Sequence, residues 1–182
     1  MLFYILLGTV ALLLIYVVVT YNSLIRLSNK VREAFATMDV YLKKRWDLIP
    51  NIVEAVKGYA RHEKETFENV TKLRNSAYHK MSTNDKIDLN EQLSAGMSRL
   101  MMVAEKYPDL KANENFLDLS KQLSKVEDDI ANARKYYNAV VRNLNNAIQM
   151  FPSNIIAGLF NFKEQKMFEA FESERQVVNV VI

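Results

Sequence analysis

Residues 1 to 25 carry no charged side chain, and Met1 to Thr20 reads MLFYILLGTVALLLIYVVVT, an apolar run diluted only by Gly8, Thr9 and Thr20. At about 1.5 Å of rise per residue such a run makes a helix of about 30 Å, the thickness of a bilayer's hydrocarbon core. One element is thereby assigned before any other: a helix that crosses a membrane. A cleaved secretory leader needs a basic start and small residues at its cleavage point. Here no Lys or Arg precedes the run, and it ends in the bulky Tyr16-Val17-Val18-Val19-Thr20-Tyr21. Residues 1–22 are therefore read as a retained anchor. Beyond it come Arg26, Lys30 and Arg32 against Glu33, then Lys43-Lys44-Arg45. Positive flanks tend to stay in the cytoplasm, which predicts an outer N-terminus and a cytoplasmic C-terminal part.

Cysteine is absent, which excludes disulfides and thiolate-metal sites. The roughly 160 residues after the anchor suffice for one domain with a real core. All 24 basic and 21 acidic residues lie there, and a net charge of +3 spread so evenly is no footprint of nucleic-acid binding. Only the basic cluster beside the anchor points to contact with anionic lipid heads.

With 4 glycines and 3 prolines, few residues can end a helix. Pro50, Pro108 and Pro152 and the capping stretch Ser82-Thr83-Asn84-Asp85 punctuate the chain, with Asp47 a candidate cap ahead of Pro50. This predicts helices over about 2–46, 48–81, 85–106 and 112–150, with an irregular tail from 151. Apolar residues recur three and four apart in alternation: Leu24, Leu27, Val31, Ala34, Met38 and Tyr41; Leu89, Leu93, Gly96, Leu100, Val103 and Tyr107; Phe116, Leu119, Leu123, Val126, Ile130, Ala133, Tyr137, Val140 and Leu144. A looser series runs Ile49, Ile52, Val56, Tyr59, Glu63, Phe67, Val70 and Ala77. This spacing on helices joined by short turns predicts an all-α fold, an antiparallel up-and-down four-helix bundle over 23–150 that continues directly from the anchor.

Bundles often hold metals, but a carboxylate-bridged di-iron centre needs Glu-x-x-His on two helices. The two histidines, His62 and His79, have Tyr59 and Ser76 in the required positions. Haem attachment through Cys-x-x-Cys-His is impossible, and no G-x-S-x-G or glycine-rich phosphate loop occurs. No catalytic, cofactor-binding or metal residue is assigned. Gly58 and Gly96 fall within helices, where glycine costs about 1 kcal/mol against alanine, so close helix approach is the expected reason for them. Glu63, Glu127 and Arg134 are polar residues on or beside apolar seams, read as groups that fix bundle register. Shifted catalytic carboxylates are the sharper alternative.

The tail, 151–182, concentrates Phe151, Phe160, Phe162, Phe168 and Phe171 and ends Val177-Val178-Asn179-Val180-Val181-Ile182. Such residues are seldom left bare on a monomer. They are expected to fold over the bundle, dock on a neighbouring subunit or meet the membrane interface.

Several blocks resemble the LemA family of bacterial membrane proteins: YNSLIRLSNKVREAF (21–35), DVYLKKRWDLIPNIVEAVKGYARHEKETFENV (39–70), AEKYPDLKANENFLDL (104–119) and RKYYNAVVRNLNNAIQMFPSNIIAGLFNFKEQKMFE (134–169). Asn161 departs from the family's usual glycine, which predicts a less extended turn there. The resemblance implies a bacterial cytoplasmic (inner) membrane protein with one span and a helical bundle. It implies no catalytic residue or ligand, since the family has no settled biochemical activity. The expected function is a membrane-anchored, non-enzymatic scaffold that binds protein partners and self-associates. The alternatives are an accessory subunit of a membrane protease or transporter, and metal or carboxylate chemistry around His62, Glu63 and Glu127. The expected partners are the lipid bilayer, further copies of the chain and other membrane proteins.

Overall fold

A computed structural model describes residues 1–60, 63–74 and 78–168, the side chains of Lys64, Glu65 and His79 apart. His62, Ala77, Phe171 and the apolar run at Val177 to Ile182 lie outside the described residues. The elements are α1 (Leu2–Tyr59), α2 (Lys64–Arg74), a 3-10 turn (Tyr78–Lys80), α3 (Thr83–Glu105), α4 (Pro108–Lys111), α5 (Glu114–Gln149) and α6 (Ser153–Leu159). The described part is all helical, without a strand. It divides into two compact units, one of Met1–Thr37 with Ala133–Met167, the other of Met38–Asn132 with Phe168.

The expected break between a first helix ending near 46 and a second starting near 48 does not exist: α1 runs through Pro50 to Tyr59. Proline inside a helix removes one hydrogen bond and crowds the carbonyl four residues back, at a cost of about 3 kcal/mol. The seam on either side outweighs that. Met38, Leu42, Trp46, Ile49, Ile52, Val53 and Val56 are all buried, on one continuous stripe. Continuity at Tyr21-Asn22-Ser23 agrees with the sequence expectation. From Met1 to Tyr16 every residue is exposed, and the Thr9 hydroxyl donates to the Leu6 carbonyl at 2.8 Å. This end of α1 is long and apolar enough to cross a membrane.

In the second unit the shorter elements close through local chemistry. The α3 N-terminus carries a reciprocal capping box: Asp85 N–H donates to Ser82 Oγ, and Ser82 N–H donates to the Asp85 carboxylate, both at 3.2 Å. Pro108 opens α4 in the first turn, where its missing N–H costs nothing. Asn113 starts α5 by accepting from Phe116 N–H at 3.0 Å, while its amide donates to the Tyr59 hydroxyl at the end of α1. Phe67 and Val70 of α2, Ile87, Leu93, Met97 and Leu100 of α3, and Phe116, Leu123, Val126 and Ile130 of α5 are buried with the α1 stripe. A Cβ on Gly96 of α3 would stand 3.2 Å from Val70 Cγ2, so that glycine does mark a close approach of α2 and α3. Gly58 has open space around its Cα, and close packing does not explain it.

In the first unit Leu24, Val31 and Ala34 of α1, Tyr137, Val140, Val141 and Leu144 of α5, and Ile156 and Ala157 of α6 are buried. The tail is not wholly irregular, because α6 forms within it. Its end is a Schellman cap: Phe162 N–H donates to Ala157 O at 2.9 Å and Asn161 N–H to Gly158 O at 3.2 Å. Asn161 takes φ 55°, the left-handed conformation this cap requires. The less extended turn expected there is a left-handed one, which asparagine tolerates better than most residues.

Candidate functional site

Arg45 is the largest fully buried polar side chain of the second unit, with 1% of it exposed. It sits on the α1 stripe, four residues before Ile49 and three after Leu42, so the helix aims it inward. A buried guanidinium is tolerated only with its donors engaged. Nη2 donates to the Asn90 carbonyl at 3.0 Å and to the Asn90 side-chain oxygen. Nη1 donates to Ser94 Oγ at 2.7 Å and to the Glu127 carboxylate at 3.2 Å. Ser94 passes its own proton back to Asn90 O at 3.1 Å, the residue one turn earlier. One cation thus ties α1, α3 and α5 together. Glu127 keeps 39% of its side chain in water, so the pair is half open rather than sealed.

A second polar cluster lies on the same unit. Asp39 of α1 accepts from the Tyr78 hydroxyl at 2.5 Å and from Lys86 Nζ of α3 at 2.8 Å. The Lys86 ammonium also stands 4.6 Å from the centre of the Tyr78 ring, which meets Trp46 at 5.0 Å between centroids. Burial, followed by the hydrogen bond to Asp39, holds the Tyr78 phenol well above the usual tyrosine range. At neutral pH it is a fixed donor. Neither cluster pairs a nucleophile with a base, and among the described residues no three His, Asp or Glu side chains converge on a metal position. The arrangement suits holding helices together rather than moving protons.

Of the three polar residues singled out from sequence, Glu127 joins the Arg45 network. Glu63 does not sit on a helical seam. It occupies the link between α1 and α2, its N–H donating to the Ala60 carbonyl at 3.1 Å. Arg134 is half-buried on α5, in the first unit. Arg45 and Asn90 were missed, Arg45 because it read as part of a basic membrane flank. A signal was present: carried across Pro50, the α1 spacing puts position 45 in the apolar stripe.

The aromatic tail residues separate. Phe160 and Phe162 pack their rings on Tyr21 of α1, at 4.7 and 5.9 Å. Phe168 is buried and Phe151 is 79% exposed. The segment after α6 is laced to α5, since Asn145 and the Gln165 backbone exchange two hydrogen bonds of 2.9 Å and the Tyr137 hydroxyl donates to Lys166 O at 3.0 Å.

The sequence profile of the LemA family matches residues 34–181. Protein LemA of Metamycoplasma hominis is 27% identical over 155 residues, a match covering 85% of this chain and 71% of that protein. Magnetosome protein MamQ 2 of Paramagnetospirillum magneticum is 23% identical over 175 residues, covering 82% of this chain and 64% of the relative. Magnetosome protein MamQ of Magnetospirillum gryphiswaldense is 22% identical over 174 residues, with coverages of 81% and 64%. The chain therefore spans less than two thirds of these magnetosome relatives. The family profile starts inside α1, takes in the Arg45 network and the α6 cap, and runs on past Phe168; this chain belongs to the LemA family.

Proposed function

We propose that this chain is a membrane-anchored helical scaffold, a protein-interaction module without catalytic activity that self-associates and helps organise a membrane or envelope. One observation carries the reading: α1 is bare over its first 16 residues and builds the protein core farther along. An apolar cylinder of that size is not stable against water, and a bilayer is the solvent that matches it. The anchor takes residues 1–22, the antiparallel four-helix bundle 23–150, and the tail 151–182 packs back on the bundle, a reading supported by the stacking of Phe160 and Phe162 on Tyr21. Arg45 with Glu127 fixes register in this reading, because a slip of one turn, about 5.4 Å, would strand a buried guanidinium away from its acceptors. Similarity to proteins named for the magnetosome favours the membrane-organising role.

The membrane is the bacterial cytoplasmic one, with the bundle on the cytoplasmic side. A single cysteine at exposed Ser98, in a chain with no native cysteine, tests the orientation with an impermeant thiol reagent on intact cells. Protection is expected, and rapid labelling reverses the topology. Native-size measurement of the full chain in mild detergent tests self-association: an oligomer is expected, and a strict monomer at high concentration rejects it.

A further inference from the structure

Apart from the first 25 residues, the chain has one other long stretch free of charge, from Asn143 to Phe162, NLNNAIQMFPSNIIAGLFNF. The fold brings the two together within one unit. Tyr21 follows the apolar run of α1 directly, and it is the residue on which Phe160 and Phe162 stack. Protein cover of α1 begins at this level: Val17, Thr20 and Tyr21 are partly covered and Leu24 is buried. The α6 helix therefore lies at the depth where the span leaves the hydrocarbon.

That helix has two unlike faces. Ile156 and Ala157 are buried, whereas Ile155 and Leu159, one turn apart on the opposite side, are 60% and 73% exposed. Met150 and Phe151, just ahead of α6, are likewise apolar and 62% and 79% exposed. Both strands of chain leaving this zone meet an exposed cation within a few residues, Arg26 on α1 and Lys163 after the α6 cap. Aromatic rings at the boundary, apolar side chains on one side of them and cations on the other make the profile of a membrane interface.

We propose that α6, with Met150 and Phe151, is a second membrane contact: an interfacial foot that inserts Phe151, Ile155 and Leu159 into the headgroup–acyl boundary of the leaflet from which α1 emerges. The inference rests on the reading of α1 as a span. The occupant is lipid because Phe160 and Phe162, at the end of α6, stack on Tyr21, where the bare apolar run of α1 ends, so a protein partner would first have to displace the bilayer around Tyr21. A lone span can rotate about its own axis. A foot set to one side of it fixes that rotation, and with it the face that the first unit presents along the membrane.

Nitroxide labels on single cysteines test this in the full chain reconstituted into phospholipid vesicles. Phe151→Cys, Ile155→Cys and Leu159→Cys report the foot, Leu12→Cys the span and exposed Lys135→Cys the aqueous side. Collision with oxygen, which partitions into lipid, is compared with collision with a water-soluble nickel complex. The foot is expected to favour oxygen over nickel several-fold more than position 135, at a depth between that of position 12 and the phosphates. Nickel access equal to that at 135 places the foot in water and overturns the proposal. Protection from both reagents at 151, 155 and 159 also overturns it, in favour of a second copy of the chain. Nickel access at position 12 would instead remove the span itself, so the two readings fail separately.

Discussion

Arg45 shows how one side chain can set the energetics of its surroundings. Removing it leaves the Asn90 side-chain oxygen without its donor in a buried place, at about 1–3 kcal/mol, and breaks the charge-assisted bonds to the Asn90 carbonyl and to Ser94. Arg45→Leu should therefore destabilise the full chain by about 2–4 kcal/mol in denaturant titrations in mild detergent. Glu127→Gln should cost about 1 kcal/mol or less, because water already reaches that carboxylate. Tyr137 supplies a pH signature. Burial pushes its phenol up to about 12 from 10.0. The folded state holds this proton more tightly than the unfolded one, so the stability is complete below pH 10 and is lost as pH rises through 12. Melting temperatures of the wild type should fall over that window more steeply than those of Tyr137→Phe. The variant should be about 1 kcal/mol weaker at neutral pH, having lost the bond to Lys166 O. Asn161 offers the opposite sign. Asn161→Gly relieves a left-handed side-chain conformation at φ 55° and should raise stability by about 0.5–1 kcal/mol, read from the same melts.

Among the elements, the two helical glycines make a controlled pair. Gly96→Leu forces a branched side chain into the contact with Val70 and should cost about 2 kcal/mol or more, by pushing α2 from α3. Gly58→Ala meets open space in the last turn of α1 and should gain a few tenths to about 1 kcal/mol from helix propensity alone. Denaturant midpoints of the two variants check both signs together. The helices α3 and α5 were legible in the sequence, where a cap or a spacing announced them. Ser82 and Asp85 start α3 as expected, and of the long series on α5 all but Leu119 and Ala133 are buried. Pro50 misleads, because a local breaker there lies within an apolar stripe that continues in phase on both sides of it. The same misplacement put Glu63 on a helical seam and hid Arg45 in a basic flank.

At the scale of the whole molecule the apolar end of α1 dominates. Leu12→Arg with Leu13→Arg should cost about 5–7 kcal/mol of membrane insertion, since an arginine near a span's centre costs about 2.5–3.5 kcal/mol. Fractionation of cells with alkaline washing should then release the variant from membranes that retain the wild type. The two units share α1 and α5, so each long helix contributes to both: α1 carries the bare apolar run and Leu24 in one and the Arg45 network in the other.

By itself the sequence determined the long apolar N-terminal helix, the all-helical character, the capped start of α3 and the family. These rest on local chemistry: runs without charge, residue spacing and side chains that satisfy nearby backbone groups. Only the tertiary structure decided that α1 continues through Pro50, that Arg45 is a buried hub and that Phe160 and Phe162 stack on Tyr21. Each of these depends on residues far apart in the chain. A proline's cost of about 3 kcal/mol is outweighed only by a core formed with other helices, and a guanidinium can stay buried only where α3 and α5 bring it acceptors.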